Sequence, residues 1–288
     1  MRRFPEWRQW AAVAFLVGAL VARPSEAQDA VGLTFDVRVT TGDSAAGTHQ
    51  TGKGWIAGKR TRLDLAGGLP NQAMAGMGGQ NISIIIDDDS TGTAVIALVM
   101  HDEKKFMYPS RMMEQVKEMM ASLAGNAKMT FAVSNVVVDT LGAGETISGF
   151  ATKRYKLSAD IRMTMEMMGE SMDQSMHVES EGDFAEELAD FADPLRDTRG
   201  FKAMTAGMPF MDSTANAELE KLLRAAPRGL ALRQVDRVTG VTEGDMPTPT
   251  TTTTLSNIRR ATFSPSVFDM PEGYTEMEMP MMGAPEVN

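Results

Sequence analysis

Three histidines, no cysteine and 25 methionines bound the chemistry open to this chain. His49, His101 and His177 stand 52 and 76 residues apart, so no local spacing makes a zinc site. Without cysteine there is no thiol nucleophile, no thiolate ligand and no disulfide. A serine hydrolase of the elbow type needs Gly-x-Ser-x-Gly on a sharp strand-to-helix turn. The nearest run, Gly169-Glu170-Ser171-Met172-Asp173, has Asp in the last place and no such context. A two-carboxylate glycosidase site leaves little local signature, and no pair stands out. Asp87-Asp88-Asp89-Ser90-Thr91-Gly92 offers oxygens like the first half of a calcium loop, but its twelfth position is Leu98, not Glu, and a hairpin turn accounts for it better.

Methionine is the abundant oddity, set against an aromatic content of 6%. Met163, Met165, Met167, Met168, Met172 and Met176, beside His177, could present soft thioethers to copper(I), and the tail Met277-Glu278-Met279-Pro280-Met281-Met282 is the better copper candidate. The same flexible side chains pack irregular cores and line adaptable apolar pockets, which is the preferred reading. No cofactor and no metal is expected. Lys plus Arg total 28 against 38 Asp plus Glu, a net charge of −10, which does not suit a phosphate backbone and argues against nucleic acid as a partner.

The elements that must position these groups begin after an address. Arg2, Arg3 and Arg8 precede an apolar run from Ala11 to Ala22, and Ser25-Glu26-Ala27 completes the pattern of a signal peptide cut after Ala27. The run is too short to span a membrane, so the expected mature chain starts at Gln28, is periplasmic or secreted, and keeps no transmembrane anchor. Leu33, Phe35, Val37 and Val39 then alternate with polar residues, the period of a half-buried strand. An extended region from about Gln50 to Leu65, carrying Trp55, can pair with it. Residues 66–80 are rich in glycine and read as a mobile loop or lid. Ile82–Ile86, Thr93–Met100 and Lys105–Tyr108 read as strands.

The period changes after Pro109. Met112, Met113, Val116, Met119, Met120 and Leu123 fit an amphipathic helix that Ser110 can cap and Gly125-Asn126 can stop. Strand signals return at Met129–Asp139 and along Tyr155, Leu157, Ala159, Ile161, Met163, Met165 and Met167, which share one face. Residues 169–174 read as a loop before a short strand near His177. Phe184, Leu188 and Phe191 fit a helix over Asp183–Asp193. A further helix, capped by Ser213 or Thr214, carries Leu219, Leu222 and Leu223. Leu230–Thr239 and Thr250–Phe263 read as a closing hairpin, in which the threonine run favours strand over linker.

Three segments carry a resemblance. Phe263-Ser264-Pro265-Ser266-Val267-Phe268-Asp269-Met270-Pro271-Glu272-Gly273-Tyr274 resembles the closing F-x-x-P-x-G-Y element of a bacterial family of exported domains of unassigned function. Gly58-Lys59-Arg60-Thr61-Arg62-Leu63-Asp64 is similar to its early G-K-R-x-R-x-D strand. Ile147-Ser148-Gly149-Phe150-Ala151-Thr152-Lys153-Arg154-Tyr155 is similar to its I-x-G-Y-x-x-x-x-Y segment, with Phe150 where tyrosine is usual. Such domains resemble the lipoprotein-localisation carriers, so the resemblance implies a curved sheet enclosing an apolar cavity, and implies a fold more than an activity.

The expected fold is α+β: a strongly curved antiparallel sheet, a half-barrel of about ten strands, wrapped over two or three helices. One domain covers residues 28–275, between the export segment 1–27 and a flexible tail 276–288. The expected function is non-enzymatic binding of a lipid-like apolar molecule in a cavity lined by Trp55, Met113, Val116, Met120, Met163 and Met165. The alternative is a structural or interaction domain with a filled core and no small ligand; the sequence leaves a protein partner open.

Overall fold

The computed structural model describes residues 30–42, 48–67, 81–88, 94–111, 128–167, 170–191, 217, 227–240 and 250–277. Twelve strands follow in chain order: β1 Ala30–Thr41, β2 Thr48–Ala57, β3 Arg60–Ala66, β4 Asn81–Asp88, β5 Ala94–Met100, β6 Lys105–Met107, β7 Lys128–Ala143, β8 Lys153–Met167, β9 Glu170–Ala185, β10 Leu230–Thr239, β11 Thr251–Phe263 and β12 Thr275–Glu276. They form one sheet in the order β12-β6-β5-β4-β3-β2-β1-β11-β10-β9-β8-β7. All neighbours are antiparallel except β12 and β6.

Period-two patterning gives the sheet two unlike faces. On the core face Leu33, Phe35, Val37 and Val39 of β1 adjoin Ile56 and Leu63, then Leu65, Ile84, Ile86, Leu98 and Met100, all buried in one cluster that also takes in Leu188, Leu230, Leu232 and Leu255. On the outer face β8, β9 and β10 carry a ladder of ion pairs. Arg154 forks onto Asp183 at 2.9 and 3.1 Å, Lys156 meets Glu179 at 2.7 Å, Arg162 meets Asp173 at 2.8 Å, and Asp160 meets His177 at 2.6 Å. Hydrogen bonds from Asn135 first and His177 second hold the Asp160 carboxyl below its ordinary range.

Over β3 to β6 the outer face is covered. Residues 264–277 cross it as a strap, with a short 3-10 turn at Pro265–Phe268 that opens on a Ser264 cap. Met270 and Tyr274 pack on Ile85, Ala97 and Val99, and β12 ends the strap beside β6.

The expected α+β half-barrel is corrected by this architecture. The described chain is nearly all β-sheet, in one twelve-stranded sheet that does not close, rather than a sheet wrapped over two or three helices. Three local readings account for the difference. The extended region 50–65 is two strands joined by a turn at Gly58-Lys59. The loop expected at 169–174 lies mostly within β9, which starts at Glu170 and pairs with β8 along its whole length. The helix expected over Asp183–Asp193 is strand to Ala185, followed by a 3-10 turn at Glu186–Leu188. Phe184 pairs with Lys153 on one side and Ala231 on the other, so its backbone groups are satisfied in the ladder and helical spacing is overridden. Pro109, Ser110 and Arg111 are helical. Of the loop or lid expected at 66–80, Ala66 ends β3; its residues 68–80, the rest of the Met112–Leu123 helix and the helix expected from Ser213 or Thr214, apart from Ala217, which is helical, lie outside the described residues, as does the export segment.

Candidate functional site

Trp55 stands on the outer face, between Thr34 of β1 and Arg62 of β3. It lines a groove of about 670 Å³ together with Asp36, Arg38, Lys53, Arg62, Asp64 and His101. The polar side chains of this lining come from the alternate positions to those that build the core, whose Val37, Leu65 and Ile82 also border the groove.

Beside Trp55 lies a hydrogen-bond relay with one consistent direction. Arg62 Nε donates to Asp64 Oδ1 at 2.7 Å, and Ser83 Oγ donates to the same oxygen at 2.5 Å. With its own proton committed to Asp64, Ser83 Oγ accepts from His101 Nε2 at 2.5 Å. His101 Nδ1 is then the acceptor for the Tyr274 hydroxyl at 2.8 Å. Arg62 also donates to the Val267 carbonyl at 3.0 Å, and Arg60 reaches Asp87 at 2.8 Å and Asp269 at 3.4 Å. The network ties the strap to the sheet.

It also contains the nearest approach to a Ser–His pair among the described residues, with the polarity opposite to what catalysis needs. A nucleophilic serine gives its proton to histidine and faces substrate. Ser83 gives its proton to a carboxylate and is 0% exposed. The run Glu170-Ser171-Met172-Asp173 is extended strand, and Asp173 is engaged by Arg162 and by the Thr164 hydroxyl.

No family model, no curated protein and no solved structure matches this chain. The resemblance therefore stays an expectation. Two of its segments nonetheless meet in the relay: Arg60, Arg62 and Asp64 come from one, and Phe268, Asp269 and Tyr274 from the other.

The remaining expected lining residues are divided. Met163 is 2% exposed on the core face of β8, opposite Gln174. Following the register from Val39 through Thr253 and Gln234 to β9 and β8 puts Met163 on the face of Val39, whereas Trp55 shares the other face with Thr34. One hollow does not join Trp55 to Met163. Met165 lies on β8 two residues on, opposite Met172, and Met113, Val116 and Met120 fall outside the described residues. No group of three or more His, Asp or Glu side chains placed to hold a metal ion is assembled among the described residues.

The sequence reading missed a polar patch on the core face. Gln50, Val39, Thr253 and Gln234 share one rung across β2, β1, β11 and β10, and Thr41, Thr251, Asp236 and Ser180 share the next, across β1, β11, β10 and β9. The signal was available: Asp236 and the threonine run occupy positions whose parity assigns them to the apolar face. Burial pushes the Asp236 carboxyl up, and hydrogen bonds from Gln234 and Ser180 offset that only in part. A group whose folded-state value is raised contributes stability below its unfolded value and loses it as pH rises through the folded value. Asp236→Asn, which keeps an acceptor for Gln234, is expected to raise stability at pH 7 by about 1 kcal/mol. The gain should vanish in acid. Denaturant melts of both proteins at two pH values check this, and a variant less stable at pH 7 would contradict it.

Proposed function

We propose that this chain is a non-enzymatic exported binding protein that holds a lipid-like apolar molecule against the methionine-bearing part of its core face. The observation that carries the reading is the row Val178, Met176, Ala159, Ile161 and Met163, which continues the leucine-rich core of β1 to β5 past the polar patch and onto β8 and β9. Thioether and aliphatic side chains in one row adapt to a flexible chain of methylenes. Met165, Met113, Val116 and Met120 stay part of the expected lining, the last three outside the described residues. The relay under the strap, in which Ser83 commits its proton to Asp64, supports binding over catalysis.

A filled core without a ligand is the competing reading, favoured by the 0% exposure of Leu33, Ile56, Leu230 and Leu232. Native mass spectrometry of freshly purified protein separates the two. The expected result is a population heavier by the mass of a copurified lipid, released on denaturation. A single species at the bare chain mass, unchanged after incubation with phospholipid vesicles, would leave the filled core as the better account. The same spectrum reports the N-terminus, and a mass starting at Gln28 is expected from exported material.

A further inference from the structure

Four buried side-chain polar atoms among the described residues have no hydrogen-bond partner: Thr41 Oγ1, Gln50 Oε1, Thr253 Oγ1 and Gln174 Oε1. All four lie on the core face. Three fall within the two rungs of the polar patch. Gln50 and Thr253 flank Val39 on the first, and Thr41 stands on the second, one position from Asp236 across Thr251. Residues directly opposite on one face have Cβ atoms about 5 Å apart; Gln50 and Thr253 stand two such steps apart on either side of Val39, and Thr41 lies two residues along β1 from Val39, so a group that satisfies all three must carry more than one hydroxyl. Each orphan costs roughly 1–3 kcal/mol of desolvation unless a partner is supplied. Three such costs in one place, in the middle of an apolar face, mark a position built to be satisfied from outside the chain.

We infer that the patch of Thr41, Gln50, Thr253 and Asp236 binds the uncharged, hydroxyl-bearing head of an amphiphile, of which a monoester of glycerol and a fatty acid is the type case. The inference rests on the proposed lipid-binding function and names the class of lipid. The head must carry hydroxyl donors, because Gln50 Oε1 can only accept while its amide nitrogen already donates to the Gly67 carbonyl. The threonine hydroxyls can do either. The head must be uncharged, because neither rung of the patch carries Lys, Arg or His, so a phosphate or carboxylate would meet Asp236 without a counter-charge. For the tail there is an apolar row. From Ser180, opposite Asp236, β9 presents Val178, Met176 and Gln174 on the same face, and six residues of strand span about 20 Å. Gln174 Oε1, opposite Met163, ends that row with another polar atom.

The test is titration of the purified full chain with monoolein and with oleate, read by native mass spectrometry and calorimetry, in the wild type and in the double variant Thr41→Val, Thr253→Val. Valine matches threonine in shape and removes an orphan hydroxyl, so the variant should fold. Thr253→Ser, which keeps a hydroxyl, serves as the second variant. Monoolein is expected to bind at least about tenfold tighter than oleate. The double variant is expected to weaken monoolein by about tenfold while leaving oleate unchanged, and Thr253→Ser to retain monoolein binding. Equal affinity for both lipids, or a double variant that binds monoolein as well as the wild type, would overturn the head-group assignment and leave lipid binding standing. Binding of neither lipid, nor of phospholipid, would remove the proposed function as well. Internal water alone on Thr41, Gln50 and Thr253 in a crystal grown with monoolein would also overturn it.

Discussion

A chain ending at Phe263 is expected to lose its cooperative fold, whereas a chain ending at Met277 should melt within a few degrees of the full protein. The strap 264–277 covers the outer-face cluster of Ile85, Ala97 and Val99, all within 5% exposure, together with Phe106 and Tyr108, and it buries Phe268 against Phe263 and Arg60. Returning two or three such side chains to water costs about 1.5–3 kcal/mol each. Removing the strap also leaves the Arg62–Asp64–Ser83–His101 relay without Tyr274 and the Val267 carbonyl. Together these losses are comparable with the whole stability of an ordinary domain. Circular dichroism melts of the two truncations decide the matter. A cooperative melt in the shorter chain would show that the strap is an ornament on an independently stable sheet. Tyr274→Phe, which deletes only one hydroxyl of the relay, should cost about 1 kcal/mol.

The second large effect is expected at Gly52. A Cβ there would lie 1.9 Å from the backbone oxygen of Asp64 on the neighbouring strand, and a backbone atom in a paired ladder cannot step aside. Gly52→Ala should therefore part β2 from β3 locally and cost about 3 kcal/mol. Gly54→Ala meets the buried Phe35 ring at 2.2 Å and should be nearly as harmful. The adjacent exposed position gives the control, since Thr51→Ala should stay within about 0.5 kcal/mol. Chemical denaturation of the three variants checks the order; a Gly52→Ala protein as stable as Thr51→Ala would mean that the strands sit further apart than described.

Much of the sheet was legible because apolar and polar residues alternate in β1, because β4 and β5 are continuous β-branched and apolar runs, and because Asp87-Asp88 leads into a hairpin of matching register. The errors came where local pattern and ladder disagreed. Phe184, Leu188 and Phe191 have helical spacing, yet pairing on both edges decides the conformation of Phe184. Methionine spacing identified Met163 as inward-facing, but could not show that Trp55 takes the other face, because parity must be carried across β1, β11, β10 and β9 to compare them. The relay was hidden for a similar reason. Asp64, Ser83, His101 and Tyr274 come from β3, β4, the turn after β5 and the strap; Asp64, Tyr274 and His101 each drew notice separately, and nothing in the spacing marked Ser83 or joined the four. The polar patch was legible in part, since Thr251, Thr253 and Asp236 break the apolar alternation, but whether their oxygens find partners is a property of the packed sheet.

The seating of β1 has a consequence for how such a chain is born. Its two neighbours are β2, close in sequence, and β11, with Ala30 facing Phe263 at the far end of the described chain. Closing so long a loop is entropically costly before any contact rewards it, and ladders of this kind form late. A polypeptide delivered N-terminus first thus carries β1 with one edge unpaired until β11 has emerged. Any chaperone that shields Leu33 to Val39 during that interval would govern yield more than the finished molecule's stability does.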